Sequence, residues 1–169
     1  MFVSLLLALF AVQGHRLTSA DAGTITRAVA DYMIPGDRSI GTHSVVGRTV
    51  IFDQAHSVLA WEPLVGKVNV NDITTTLPSL IMSEDQAVHC AKPKYDCTVS
   101  RDAIYLGINS VERGPREGQY RIRATIRFAE KNRQGVSHLE GGTYTLIVGL
   151  VGTKYKHWEV QSTSPKITW

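Results

Sequence analysis

The strongest constraint on the fold is a stretch of strict alternation, QYRIRATIRFAE, at residues 119–130. Every second position is apolar, namely Tyr120, Ile122, Ala124, Ile126 and Phe128. Successive side chains of a β-strand point to opposite faces, so a period of two predicts a long strand with one face in the core. The intervening positions predict a polar outer face and hold Arg121, Arg123, Thr125 and Arg127.

Three other segments of the C-terminal half are typical of strands beside this one. Residues 103–112 place Ile104, Leu106 and Ile108 on one face. Residues 143–151 are apolar on both faces, which predicts a central strand, and residues 155–161 close the sheet with Trp158 and Val160 inward. The turn RGPREG, the loop KNRQGVSHLEGG and the tight turn GT connect them. Four consecutive strands with such connections predict an antiparallel meander.

The N-terminal half predicts the helical cover for this sheet. The segment SADAGTITRAVADYMIPGD has apolar residues at the spacing of one helix face, namely Ile25, Ala28, Val29, Tyr32 and Met33. Ser19 or Asp21 is expected to cap this helix, and Pro35-Gly36 to end it.

The next segments predict extended structure and one short helix. RTVIFDQAHSVLAWEP is rich in β-branched and aromatic residues, which predicts a long strand or a bent hairpin that stops at Pro63. Asn71 is a good N-cap for a short helix that ends near Leu77, because Pro78 prevents a regular continuation. A further short strand is expected at Gln86–Cys90.

This order of elements, with a meander ending in YKHWEV, resembles the NTF2-like superfamily. The chain is also similar to small exported bacterial proteins of unassigned role that carry a Cys pair ahead of the meander. The resemblance implies an α+β domain in which a curved antiparallel sheet wraps helices into a cone, sometimes with a pocket. We therefore expect the N-terminal amphipathic helix and the short second helix to pack on a curved sheet. The superfamily has no shared catalytic motif, so the resemblance assigns no residue roles.

The chain opens with an apolar run, Phe2–Val12, in which Ser4 is the one polar residue. The run is too short to span a bilayer core of about 30 Å as a helix, and it is typical of a secretory signal peptide. We expect cleavage after Gly14, with Ala20-Asp21-Ala22 as a second candidate site. A signal peptide at 1–14 and a single domain at 15–169 predict a secreted or periplasmic protein. The alternative is a buried N-terminal helix or strand.

Both cysteines lie in HCAKPKYDC, residues 89–97. Thiols tend to pair in an oxidising compartment, so export favours a Cys90–Cys97 disulfide that pins a loop. The chain-entropy model gives such a short loop a stabilisation of about 2.5 kcal/mol. A zinc site and a redox pair are the alternatives. Zinc usually takes four ligands, and a C-x-x-C redox motif has two residues between its cysteines rather than the six found here.

Charge and hydropathy restrict the partners. The net charge is +3, far from the concentrated Lys/Arg field of a dedicated nucleic-acid binder, so no nucleic-acid partner is expected. No second apolar run approaches 18 residues, and the mature chain is expected to have no membrane span.

Candidate chemistry is sparse. The sequence contains no G-x-S-x-G, P-loop, H-E-x-x-H or G-x-G-x-x-G motif, and no cofactor or metal is expected. The catalytic candidates are Asp53, His56 and Tyr105. A carboxylate–imidazole pair can transfer protons. On a regular strand, however, residues i and i+3 point to opposite faces, so Asp53 and His56 would meet only across a bulge or turn.

Basic and aromatic residues supply further candidates. Arg121, Arg123 and Arg127 form a basic stripe that is a candidate anion site, and Lys154 and Lys156 extend this stripe. The alternative for this stripe is a solvated sheet face with carboxylate partners. Trp158 is expected in the core and Trp61 at a pocket mouth, and Trp169 is either a loose end or a docking residue.

Export together with missing motifs favours a non-catalytic domain that binds an unidentified small molecule or envelope protein. The alternative is an NTF2-like pocket enzyme of the isomerase or dehydratase type, with Asp53, His56 or Tyr105 as polar pocket groups. A deep apolar cavity with two or three converging polar groups would favour the enzyme.

Overall fold

The computed structural model describes residues 16–34, 39–40, 43–44, 49–74, 80–82, 103–131 and 137–166. The helices are α1 (Ser19–Met33), α2 (Gln54–Val65) and α3 (Val70–Thr74). The strands are β1 (Ser39–Ile40), β2 (His43–Ser44), β3 (Thr49–Asp53), β4 (Leu80–Met82), β5 (Ala103–Arg113), β6 (Gln119–Lys131), β7 (Ser137–Val151) and β8 (His157–Ser164). The predicted α+β class is confirmed.

The main sheet has the strand order β4-β3-β5-β6-β7-β8. Strands β5 to β8 are antiparallel neighbours, which confirms the predicted meander. Strand β3 lies parallel to both β4 and β5, so the sheet is mixed. The helices α2 and α3 lie between β3 and β4 in the chain, and a crossover of this kind is what lets two neighbouring strands run in the same direction.

Strand β7 is longer than the sequence predicts. It begins at Ser137, so residues 137–142 of the predicted loop belong to the sheet. Two glycines of that predicted loop, Gly141 and Gly142, pair with β6. Gly141 has φ +154°, and a Cβ there would overlap the carbonyl oxygen of Ile126. The glycine is needed because the backbones of β6 and β7 approach closely at this point.

Helix α1 is confirmed, with its cap one residue earlier than expected. Thr18 is the N-cap, and its hydroxyl accepts the Asp21 N–H at 3.1 Å. Asp21 accepts the Thr18 N–H at 2.9 Å and completes a capping box. Ser19 instead accepts the N–H of Asn69 at 2.8 Å and so ties α1 to the start of α3.

The segment 48–63 was predicted as a long strand or a bent hairpin, and this prediction is wrong for the residues after Asp53. The strand stops at Asp53, and α2 continues to Val65 with Pro63 inside it. Asp53 caps the helix, and its buried face holds Ser57, Ala60 and Trp61, at i, i+3 and i+4. The β-branched residues before Asp53 favour an extended strand, but this preference ends at Asp53 because its side chain caps a helix.

The predicted short helix is present as α3, Val70–Thr74, but Asn71 lies inside it and is not its N-cap. The Asn69 side chain instead accepts the Asn71 N–H at 3.1 Å. Helix α3 packs against α1 at Gly23, where a Cβ would overlap the carbonyl oxygen of Asp72. Gly23 therefore allows two helix backbones to meet, although glycine lowers the helix propensity of α1. The predicted end near Leu77 lies outside the described residues.

The core lies between the helices and one face of the sheet. All five alternating residues of β6 are buried in it, as predicted, and so is Val160 of β8. Trp61 is fully buried there and its indole N–H donates to Thr26 at 3.1 Å, so the predicted position at a pocket mouth is wrong. Trp158 was predicted in the core, but it is only half-buried at the edge of the core, where it packs edge-on against Tyr120 with ring centroids 5.6 Å apart.

None of the helices in the described ranges is long and apolar enough to cross a bilayer. Several predictions fall outside the described residues and remain predictions. They are the signal peptide at 1–14, the strand at Gln86–Cys90, the Cys90–Cys97 disulfide and the role of Trp169.

Candidate functional site

The candidate site forms where β3 ends and α2 begins. Asp53 is both the last residue of β3 and the N-cap of α2. Its Oδ1 accepts the backbone N–H of His56 at 3.2 Å, and its Oδ2 lies 2.7 Å from His56 Nδ1. The expectation that these side chains point apart assumed a continuous strand. Because the chain turns from β3 into α2 at Asp53, His56 in the first turn of the helix lies next to the Asp53 side chain. This is the turn by which the two side chains were expected to be able to meet.

Tyr105 of β5 joins this pair from the neighbouring strand. Its hydroxyl donates to Asp53 Oδ2. Phe52 and Leu106 are register partners and both face the core. Strand alternation therefore places Asp53 and Tyr105 together on the opposite face of the sheet. Two predicted candidates far apart in sequence thus meet through the parallel pairing of β3 and β5.

The three side chains differ sharply in exposure. Asp53 is 1% exposed and Tyr105 is 3% exposed, whereas the side chain of His56 is 68% exposed. A carboxylate only accepts hydrogen bonds, so His56 directs Nδ1–H toward Asp53 and leaves Nε2 pointing away from it. The buried carboxylate thus sets the tautomer and orientation of an accessible imidazole.

A polar cleft of about 100 Å³ adjoins this group. It is lined by Asp53, His56, Tyr105, Gly107, Ile108, Asn109, Thr125 and Arg127. Gly107 keeps the cleft open, because a Cβ there would lie 3.5 Å from Asp53 Cβ and 3.3 Å from the Tyr105 hydroxyl. On the other side, Thr125 donates to the Asn109 side chain at 2.8 Å and lies 2.9 Å from the Thr143 hydroxyl.

The predicted basic stripe divides between different environments. Arg127 is the register partner of Tyr105 and lines the cleft. Arg121 and Arg123 are exposed farther along β6, and Arg121 lies 4.0 Å from Glu112. The two lysines that extend the stripe lie in different places from each other. Lys154 lies 5.3 Å from the Tyr155 ring centroid, and Lys156 lines another groove. The structure thus brings only Arg127 to the cleft.

Apart from Ile108, which also belongs to the core, sequence reasoning missed three cleft residues, namely Gly107, Asn109 and Thr125. Their signal was the alternation itself. In β5 the positions between the apolar residues are Tyr105, Gly107 and Asn109, which are small or polar and therefore belong to one face. The sequence did not indicate that this face of β5 lies beside the end of β3.

Comparisons of the chain with protein-family models, with curated proteins and with solved structures find no match. Within the described ranges, no three His, Cys, Asp or Glu side chains cluster in a way that could hold a metal ion. The chemistry of the site therefore has to be argued from the hydrogen bonds and charges of the cleft.

Proposed function

We propose that the chain is an exported α+β binding domain that holds an anionic group of a small polar ligand in the Asp53–His56–Tyr105 cleft. The observation that carries this proposal is the convergence on one cleft of side chains from β3, α2 and β5, with Arg127 of β6 beside them. Convergent polar groups on separate elements are typical of binding sites.

The size of the cleft limits what enters it. Sites for drug-sized ligands occupy about 300–1,000 Å³, whereas this cleft has about 100 Å³. A carboxylate or phosphate group fits, and the rest of the ligand would lie outside. Such a group could form a charge-assisted hydrogen bond with Arg127, and it could accept Nε2–H from His56 when both ring nitrogens of His56 carry a proton. The Asp53 oxygens already accept from His56 and Tyr105, which reduces their repulsion of an anion.

Export is part of the proposal, and the start of α1 supports cleavage after Gly14 over the second candidate site. Cleavage after Gly14 keeps buried Leu17 and the Thr18–Asp21 capping box. Cleavage after Ala22 would remove both and leave α1 without its cap. A stable mature domain therefore favours a new N-terminus near His15.

The resemblance to the NTF2-like superfamily supports a proposal about the architecture alone, namely a curved sheet wrapped around helices. Its cone would place a pocket between the helices and the sheet, where the described side chains form the core. The binding proposal instead uses the opposite face of the sheet and does not depend on that assignment.

A second candidate function is proton transfer of the isomerase or dehydratase type. The observation that favours it is the 2.7 Å contact between buried Asp53 and His56 Nδ1. With Nδ1 held, Nε2 could accept a proton from a carbon next to a ligand carbonyl and return it to the same or a neighbouring atom. Asp53 and Tyr105 would position His56 for this step, and Arg127 would hold the ligand's anionic group.

The binding proposal can be tested by titrating the protein with acetate, succinate and inorganic phosphate while following amide and imidazole NMR signals. His56→Gln should weaken binding at least tenfold by removing the imidazole that faces the cleft. Gly107→Ala should do the same by filling the cleft with a methyl group. His157→Gln is the matched control, since His157 is exposed on β8 and does not line this cleft. Equal affinities for all four proteins would refute the proposal.

Proton transfer requires a different readout. The test substrate is 2-oxobutyrate in D₂O, a small 2-oxo acid with an exchangeable hydrogen beside its carbonyl. A catalyst would accelerate deuterium incorporation at that carbon, and His56→Gln would abolish the acceleration. Binding without acceleration would leave the chain a binding domain and reject the enzyme.

A further inference from the structure

A second, larger groove lies on the helix-covered side of the sheet, at the end that carries the β5–β6 turn. It has about 990 Å³ and is lined by residues 113–120 together with Leu150, Lys156 and Trp158. None of these residues lines the Asp53 cleft. We call this the turn groove.

The turn that forms one wall is held by hydrogen bonds. The Gly114 N–H donates to the Gln119 carbonyl at 2.8 Å, and the Gln119 N–H donates to the Arg116 carbonyl at 3.1 Å. Gly118 supplies the positive φ of +73° that the turn needs. The Gln119 side chain also donates to Gln161 of β8. These bonds fix the positions from which the turn presents its charged side chains.

The charge on the turn groove is predominantly positive. Its lining includes the exposed cations Arg113, Arg116 and Lys156, against the single carboxylate of Glu117. Among the residues that the structure describes, no carboxylate lies within ion-pair distance of these three cations. Unpaired cations around a concave surface raise the local concentration of anions.

The rest of the lining is apolar and aromatic. Leu150 is 41% exposed, and Trp158 meets Tyr120 edge-to-face at an interplanar angle of 65°. Burial raises the pKa of Tyr120, the charge of Arg113 acts in the opposite direction, and the charge of Asp21 raises the pKa further, so the phenol stays neutral at physiological pH. The groove therefore joins an uncharged apolar and aromatic surface to a cationic wall.

We propose that the turn groove binds a small molecule that combines a ring with phosphate or sulfate groups. Arg113, Arg116 and Lys156 would hold the anionic groups, since guanidinium forks match phosphate and sulfate oxygens. The ring would lie against Leu150 and Trp158. A nucleotide and a sulfated sugar share this chemistry.

The experiment is calorimetric titration of the protein with adenosine triphosphate and with sucrose octasulfate, at two salt concentrations. Adenosine and sucrose are the uncharged controls, and tripolyphosphate is the anion without a ring. Arg116→Ala and Lys156→Ala should each weaken binding of the charged ligands at least fivefold. Arg123→Ala is the matched control because it removes an exposed cation that does not line this groove.

Tight binding of either charged ligand, weakened by salt and by the groove substitutions, supports the proposal, and the preferred ligand identifies the source. A Kd above 1 mM for both ligands overturns it. So does an equal loss in Arg123→Ala, which would indicate a response to net charge alone. Tripolyphosphate binding as tightly as adenosine triphosphate overturns the ring site. Far-ultraviolet circular dichroism confirms that the substituted proteins are folded.

Discussion

Replacing Asp53 with alanine should lower the free energy of unfolding by about 3 kcal/mol. The substitution removes the N-cap of α2, and loss of such a cap costs about 1 kcal/mol. It also removes the acceptor of the buried Tyr105 hydroxyl. Hydrogen bonds to charged groups contribute about 1.5–3 kcal/mol, so this loss adds about 2 kcal/mol.

Thr18→Ala provides the matched comparison. Thr18 is also an N-cap, but it is exposed and its side-chain partners belong to the first turn of α1. Its removal should therefore cost only about 1 kcal/mol. Asp53→Asn should fall between the two, since asparagine caps a helix as well as aspartate does but accepts a weaker, uncharged hydrogen bond from Tyr105.

Equilibrium unfolding in urea, followed by tryptophan fluorescence, gives these free energies. A double-mutant cycle of Asp53→Ala with Tyr105→Phe should yield a coupling of about 1–2 kcal/mol, because each single substitution already breaks the shared bond. If Asp53→Ala costs no more than Thr18→Ala and the coupling is near zero, the buried hydrogen bond does not hold the site together. The geometric basis of the binding proposal would then fail.

Three further predictions use the same domain. Gly23→Ala should destabilise the domain by at least 1 kcal/mol in urea unfolding, although alanine favours helices, because its methyl group would overlap the Asp72 carbonyl; a gain in stability would contradict the close contact. Thiol titration of the exported protein should find Cys90 and Cys97 oxidised, and replacing both with serine should cost about 2 kcal/mol or less without preventing folding; two free thiols would exclude the staple. Mass analysis of the exported protein should place its N-terminus near His15, and recovery of intact Met1 would reject the signal peptide.

The local patterns of the chain were sufficient for α1 and for the meander. Tyr120 to Phe128 alternate so regularly that one face of β6 had to be buried, and all five apolar residues are. The helical period of α1 likewise lies between recognisable start and stop signals. In these elements most of the apolar positions in the pattern are the buried ones, so neighbours in sequence carry most of the information.

The elements that the sequence misassigned are those whose conformation depends on contacts between residues far apart in the chain. Residues 54–65 carry both helical and extended preferences, and the helix forms because Asp53 caps it and Trp61 finds a buried partner in Thr26 of α1. By propensity Gly23 weakens a helix and Gly141 favours a loop. In the structure each glycine instead lies where two backbone segments are in close contact.

The candidate site shows the same division. The sequence identified Asp53, His56 and Tyr105 as residue types able to move a proton, and their numbers are separated by as many as 52 positions. Their meeting depends on the parallel pairing of β3 with β5 and on the turn into α2, and no local pattern encodes either. Pairing between distant strands is selected by how the whole core packs, so only the tertiary structure could place the tyrosine hydroxyl on the aspartate that orients the histidine.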